Sequence, residues 1–201
     1  MKEDILEQLV DEYLQHQGYF TRHNIKFRPD NTRPDFDSRQ DSVHSDIDVV
    51  GINPVFQGHH RVVAVSCKSW QSGFNSKSKI AEIENNKTIS GREAWRGFRE
   101  LTRKKWAEAF IDKVEEISGS RKFTYITAVT FHKGDRSVWE GYADFNKILH
   151  GNPIRILTLA DILKKLWPTI NTTPASSGIG RTLQLIKAAR WLETRDRNTQ
   201  R

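Results

Sequence analysis

HSDIDVVGINPVFQGHHRVVAVSCKSW, residues His44–Trp70, decides the fold. Its two β-branched runs, IDVVGINP and HRVVAVSCK, are bounded by turn residues and read as paired strands. One run opens on two aspartates, Asp46 and Asp48, and the other closes on Lys68. Asp46 and Asp48 are two apart, so on a strand they share a face. Ile47, Val49, Val63 and Val65 supply the core. If the strands pair, the Asp48 end is expected to lie near the Lys68 end only where the sheet splays or a register offset helps, and the sequence leaves that geometry open.

Upstream, Ile5, Leu6, Leu9, Val10, Tyr13 and Leu14 recur at helical spacing and predict a helix over about residues 3–16, ended by Gly18. YFTRHNIKF then reads as a first strand, and RPDNTRPDFDSRQDS as a polar loop. Downstream, KIAEIEN suggests a short helix, and residues 92–117 carry a helical pattern. FTYITAVTF is a strand, YADFNKIL a short helix, and IRILTLADILKKLW a strand followed by a helix. This order predicts an α/β sandwich with a mixed central sheet flanked by helices, over residues 1–170. NTTPASSGIG has linker composition, and a basic amphipathic helix follows from Arg181, so residues 171–201 form an appendage. That segment carries Lys187, Arg190, Arg195 and Arg197, with Leu183, Ile186 and Leu192 needing burial.

With 36% hydrophobic and 28% charged residues, the chain can bury a core under a polar surface. No apolar run approaches the roughly 20 residues that span a bilayer, and the acidic, amphipathic MKEDILEQLVDEYL is no signal peptide. A single cysteine, Cys67, excludes an intrachain disulfide framework and suits a reducing cytoplasm. The formal net charge of +7 favours polyanionic partners, nucleic acid foremost.

Two aspartates and a lysine at neighbouring strand ends suit metal-assisted phosphodiester hydrolysis. Carboxylates hold Mg²⁺, a hard cation that prefers oxygen. A lysine beside them offsets charge in the transition state. The same residues also read as a strand cap and a solvated strand-end charge.

The chain resembles the PD-(D/E)XK nuclease superfamily, with its restriction-endonuclease-like fold. In that family an aspartate starts one strand and the next strand ends in (D/E)-x-K. Asp48 matches the aspartate, and Ser66-Cys67-Lys68 matches the tripeptide. EQLVDEYLQHQGYF resembles the first helix of Holliday-junction resolvases and Mrr-type restriction nucleases, with Glu7 on the position of their helical glutamate. The resemblance covers roughly residues 3–70. It implies a catalytic set of Asp48, Lys68, Glu82 and Glu7. It implies Mg²⁺, or Mn²⁺ in its place, held by Asp48, the backbone at Cys67, and Glu82. Asp46 reads either as a further metal ligand or as a solvent-facing residue. The departure is Ser66, where the family has an acid. Some superfamily restriction enzymes with Ser-x-Lys draw the carboxylate from a following helix, and Glu82 lies at that spacing, with Glu84 and Glu93 as alternatives. Pro34-Asp35 is a literal Pro-Asp, but in a polar loop.

Arg92, Arg96, Arg99 and Arg103 are spaced 4, 3 and 4, so one helix would align them as a stripe able to track phosphates. Glu93 and Glu100 read as their local ion-pair partners on a solvated face. The apolar residues of this segment define two faces, Trp95/Phe98/Leu101 and Trp106/Phe110/Val114/Ile117, offset by about a quarter turn, which requires a kink near Gly97 or Thr102. The expected function is a metal-dependent DNA endonuclease in restriction, repair or junction processing. The competing one is a catalytically inactive nucleic-acid-binding or assembly module on the same fold. A homodimer would supply the two sites that paired cuts need.

Overall fold

Leu6, Leu9, Val10 and Leu14 are buried at helical spacing and fix the first element, α1 (Ile5–His16). Asp4 caps it by accepting the Leu6 N–H at 2.8 Å. Gly18 ends it in the left-handed conformation, at φ 81°. The computed structural model describes residues 4–170 and 177–189. Arg190, Leu192, Arg195 and Arg197, read above as part of a basic helix, lie outside the described residues.

Five strands follow the β-branched runs: β1 (Phe20–Phe27), β2 (Ser45–Ile52), β3 (Val62–Lys68), β4 (Thr124–Val129) and β5 (Ile154–Thr158). They form one sheet in the order β1-β2-β3-β4-β5. The pairs β1/β2 and β2/β3 are antiparallel, and β3/β4 and β4/β5 are parallel. The sheet is therefore mixed, as the order of elements predicts. Between strands come α2 (Ser76–Glu84), α3 (Lys104–Ser118) and α4 (Ala143–Ile148). After them come α5 (Leu159–Thr169) and α6 (Gly178–Ala188). On one face Trp106, Phe110, Ile111 and Val114 of α3 pack with Ile25, Phe27, Val50 and Tyr125. On the other, α1 and Ile162 and Leu166 of α5 pack with Val49, Val63, Val65, Ile126 and Ala128. Strand β4 is buried at every position, as expected of a parallel strand covered on both sides.

Residues 92–117 do not form one helix. Arg92–Glu93 pairs with Thr88–Ile89 in a small hairpin, Ala94–Phe98 is a 3₁₀ turn, and Arg99–Thr102 is a single helical turn. Phe98 (φ −146°, ψ 46°) and Arg103 (φ −130°, ψ 118°) break the chain before α3 begins. The two offset apolar faces explain the breaks: one straight helix would put Leu101 and Phe110 on opposite sides, and both are buried. The arginine stripe expected on a single helix is thereby divided.

Two polar segments are more ordered than their composition suggests. In the loop after β1, Asp41 is buried and accepts from the Asp37 N–H at 2.8 Å, from Trp106 Nε1 at 3.0 Å and from Lys105 Nζ at 2.5 Å. These bonds fasten the loop to the start of α3. Gly178-Ile179-Gly180, read as the end of a linker, is instead the first turn of α6. Ser177 caps that turn at 3.0 Å and donates to the buried Glu12 of α1 at 2.6 Å. Among the described residues no helix is long and apolar enough to cross a membrane.

Burial pushes the Asp41 carboxyl up, but its bonds from Lys105, the Asp37 N–H and Trp106 outweigh burial and hold it below the ordinary carboxylate value. A depressed folded-state pKa adds stability that is present above the unfolded value and lost as pH falls through the folded one. Asp41→Asn is therefore expected to lower stability by about 1–3 kcal/mol at pH 7. The gap to wild type should close on acidification through the carboxylate range, as followed by thermal melts at several pH values.

Candidate active site at the sheet end

Antiparallel pairing runs the start of β2 against the end of β3, so Asp48 and Lys68 come to the same end of the sheet without any register offset. The β2/β3 ladder pairs Ile52 with Val62 through to Val49 with Val65. Beyond it, the Cys67 N–H is donated to Asp48 Oδ2 at 2.5 Å. Regular pairing with β1 also lapses at Asp48. His23 pairs with Val49 and Ile25 with Ile47, but between them Asn24 turns to φ 51°, a conformation asparagine tolerates. Ile47 and Val50 then serve one core while Val49 serves the other, so the strict two-residue alternation fails at Asp48. Asp48 thus sits at a local break in both ladders, with its carboxylate held by β3.

The charges around Asp48 define the site. Burial raises its pKa most, the Lys68 charge and the Cys67 N–H lower it, and Glu100 and Asp46 raise it again; the result is a carboxyl above its ordinary value. Lys68 Nζ lies 5.4 Å from the centre of the Phe98 ring. Glu100 comes from the helical turn Arg99–Thr102 and is buried. It accepts a 2.5 Å hydrogen bond from the hydroxyl of the fully buried Tyr125. Burial, the Glu100 charge and this bond push the Tyr125 phenol well up, so it remains a donor. The Ser66 hydroxyl acts in the opposite direction, favouring the ionised phenol, but is outweighed.

No family model, curated protein or solved structure matches the chain. Its site is therefore read from its own geometry. Asp48 and Lys68 converge. Glu100, taken from sequence for a surface partner of the arginines, is instead buried, and its charge acts on Asp48. Asp46 is exposed and stands opposite Lys26 on β1. Cys67 is the bridge: burial pushes its thiol well up, with Asp48 and Glu7 adding to the effect. Glu7 thus acts on the site from the α1 side. Glu82 lines the groove beside the site, and its carboxylate pairs with Lys79 at 2.5 Å. Asp35 pairs with Arg33 in the exposed loop.

A groove of about 1160 Å³ opens beside these residues. Arg92, Arg96, Arg99 and Lys79 line it, against only Glu82 and Glu93. Phe98, which carries Lys68 on its face, is part of its wall. Arg103 is not on this wall and packs its guanidinium 4.4 Å from the Trp95 ring centre. Three of the four arginines therefore share one surface despite the broken helix. Among the described residues no group of three or more His, Cys, Asp or Glu side chains is gathered to hold a metal. Two carboxylates still fit Mg²⁺, which commonly takes one or two from protein and the remainder from water and substrate phosphate.

Glu100 and Tyr125 are the residues that sequence reasoning missed. The one signal that could have found Glu100 is the quarter-turn offset of the apolar faces, since the resulting break turns this residue inward.

A raised folded-state pKa means that Asp48 contributes stability below its unfolded value and loses it as pH rises through the folded one. Asp48→Asn, which can still accept the Cys67 N–H, is expected to melt above wild type at pH 7. The difference should vanish at pH 3, and a lower melting temperature at pH 7 would refute this account of Asp48.

Proposed function

We propose that this chain is a metal-dependent DNA endonuclease of the restriction-endonuclease-like kind. The observation that carries the reading is the meeting of Asp48, Glu100 and Lys68 at a sheet end beside a cation-lined groove. Asp48 and Glu100 supply hard oxygen donors for Mg²⁺ or Mn²⁺. A bound metal ion polarises the phosphate and lowers the pKa of a water at that position. Lys68, held over Phe98, offsets the negative charge that builds on the phosphate oxygens during attack. Arg92, Arg96, Arg99 and Lys79 hold the flanking phosphates and keep the scissile one over the carboxylates. Cutting both strands takes two such sites, so this reading implies a homodimer on duplex substrates.

One feature favours a second reading, a binding module without catalysis. The position of the acid in the nuclease pattern is filled by Ser66, which is buried and carries no charge. A supercoiled-plasmid cleavage assay with Mg²⁺ or Mn²⁺ separates the two. The nuclease reading expects cleavage by wild type and none by Asp48→Asn or Glu100→Gln. Lys68→Ala should lose about 10²- to 10³-fold in rate. Glu82→Gln should cut like wild type. DNA binding without cleavage under either metal hands the function to the binding module.

The groove predicts a pattern in the salt dependence of DNA affinity. Each phosphate contact contributes about 0.9 to the log–log slope. Arg92→Ala and Arg96→Ala should each reduce the slope by about that amount, whereas Arg103→Ala should leave it alone. Equal slopes for all three variants would remove the groove from the interface.

A further inference from the structure

The sheet end holds a buried hydroxyl that the chemistry above does not use. Tyr125 lies on β4, fully buried, and its hydroxyl donates to Glu100 Oε1 at 2.5 Å. A phenol has one hydrogen to give, and here Glu100 receives it. Ser66 is buried on the neighbouring strand, two residues along from Ala64, the register partner of Tyr125. Glu100 itself stands on a helical turn of only four residues, between breaks at Phe98 and Arg103. Such a turn gives a side chain little orientation of its own, and a buried carboxylate needs a hydrogen-bond partner to be tolerated.

We propose that Tyr125 is a positioning residue that fits Glu100 to replace the acid absent at Ser66. The proposal rests on the metal-site reading above and assigns this pair its role within it. The arrangement is a coupled exchange. Serine at position 66 adds no third negative charge beside Asp48 and Glu100, whose charges already oppose each other. The phenol fixes one oxygen of Glu100. An acid at 66 would repel both carboxylates and compete for the only hydrogen that Tyr125 can donate.

The test uses Mn²⁺ alone, followed by its electron paramagnetic resonance, with no DNA present. Wild type should bind the ion and Asp48→Asn should not. Tyr125→Phe should bind about 10- to 100-fold more weakly, the usual effect of removing a partner that orients a metal ligand. Adding Ser66→Asp to Tyr125→Phe should restore binding, since a carboxylate then stands on β3 itself. Tyr125→Phe binding as tightly as wild type, while Asp48→Asn fails to bind, overturns the positioning role and leaves the metal site standing. No binding by wild type overturns both. A second readout needs no Tyr125 variant. The shielded Tyr125 hydroxyl proton should give a downfield nuclear magnetic resonance line, assigned by its displacement in Glu100→Gln. Saturating Mg²⁺ should shift that line, and an unmoved line overturns the proposal.

Discussion

The hydrogen bond from the Cys67 N–H to the Asp48 carboxylate is the contact on which the sheet end depends. Where the β2/β3 ladder stops, a side chain supplies the acceptor. That substitution has a structural and an electrostatic consequence. Structurally, it lets β2 depart from strict alternation at Asp48 without leaving the Cys67 N–H unsatisfied, which inside a protein would cost about 1–3 kcal/mol. Electrostatically, it fixes a carboxylate in a half-buried position, where desolvation outweighs the help of Lys68. A residue in that state opposes folding at neutral pH, so its retention needs a reason other than stability.

The aromatic packing of the segment before α3 supplies the second carboxylate. Trp95, Phe98 and Leu101 must face the core, and so must Phe110, but one helix would put Leu101 and Phe110 on opposite sides. The chain breaks twice, and the intervening turn carries Glu100 in with Leu101. Tyr125 on β4 meets it with a hydroxyl. The core thus determines the site: the ring volumes that fill one face of the sheet set where Glu100 lies.

This also explains which parts were legible in the sequence. The hairpin, α1, β4 and the mixed sheet announce themselves through β-branched runs and helical spacing, which are local signals. Asp48 and Lys68 were legible because they end such runs. Glu100 was not, because its inward turn follows from a conflict between two apolar faces rather than from its own neighbours in sequence. Glu82 has a suitable spacing from Lys68, yet spacing says nothing about rotation of α2, and Lys79, three residues earlier, lies within reach of its carboxylate. The Ser177 cap was hidden for a related reason: its partner, Glu12, lies 165 residues away.

The groove's cations show how a binding surface can be held ready while only partly neutralised. Lys79 lies over Trp70, Arg96 over Trp95 and Arg99 over Trp106, with cation-to-centroid distances of 4.7, 5.1 and 4.6 Å. Each contact is worth about 0.5–1 kcal/mol at an exposed site. It restricts a long side chain in advance, so less rotamer freedom remains to be lost when a polyanion arrives. A carboxylate partner would also restrict the side chain, but it would compete with the polyanion. Among the four cations on this wall, Lys79 and Arg96 have such partners, Glu82 and Glu93. Both pairs are only partly buried, a setting in which ion pairs contribute about 0–1 kcal/mol. An incoming phosphate can displace them at small cost, while the rings keep the cations in place.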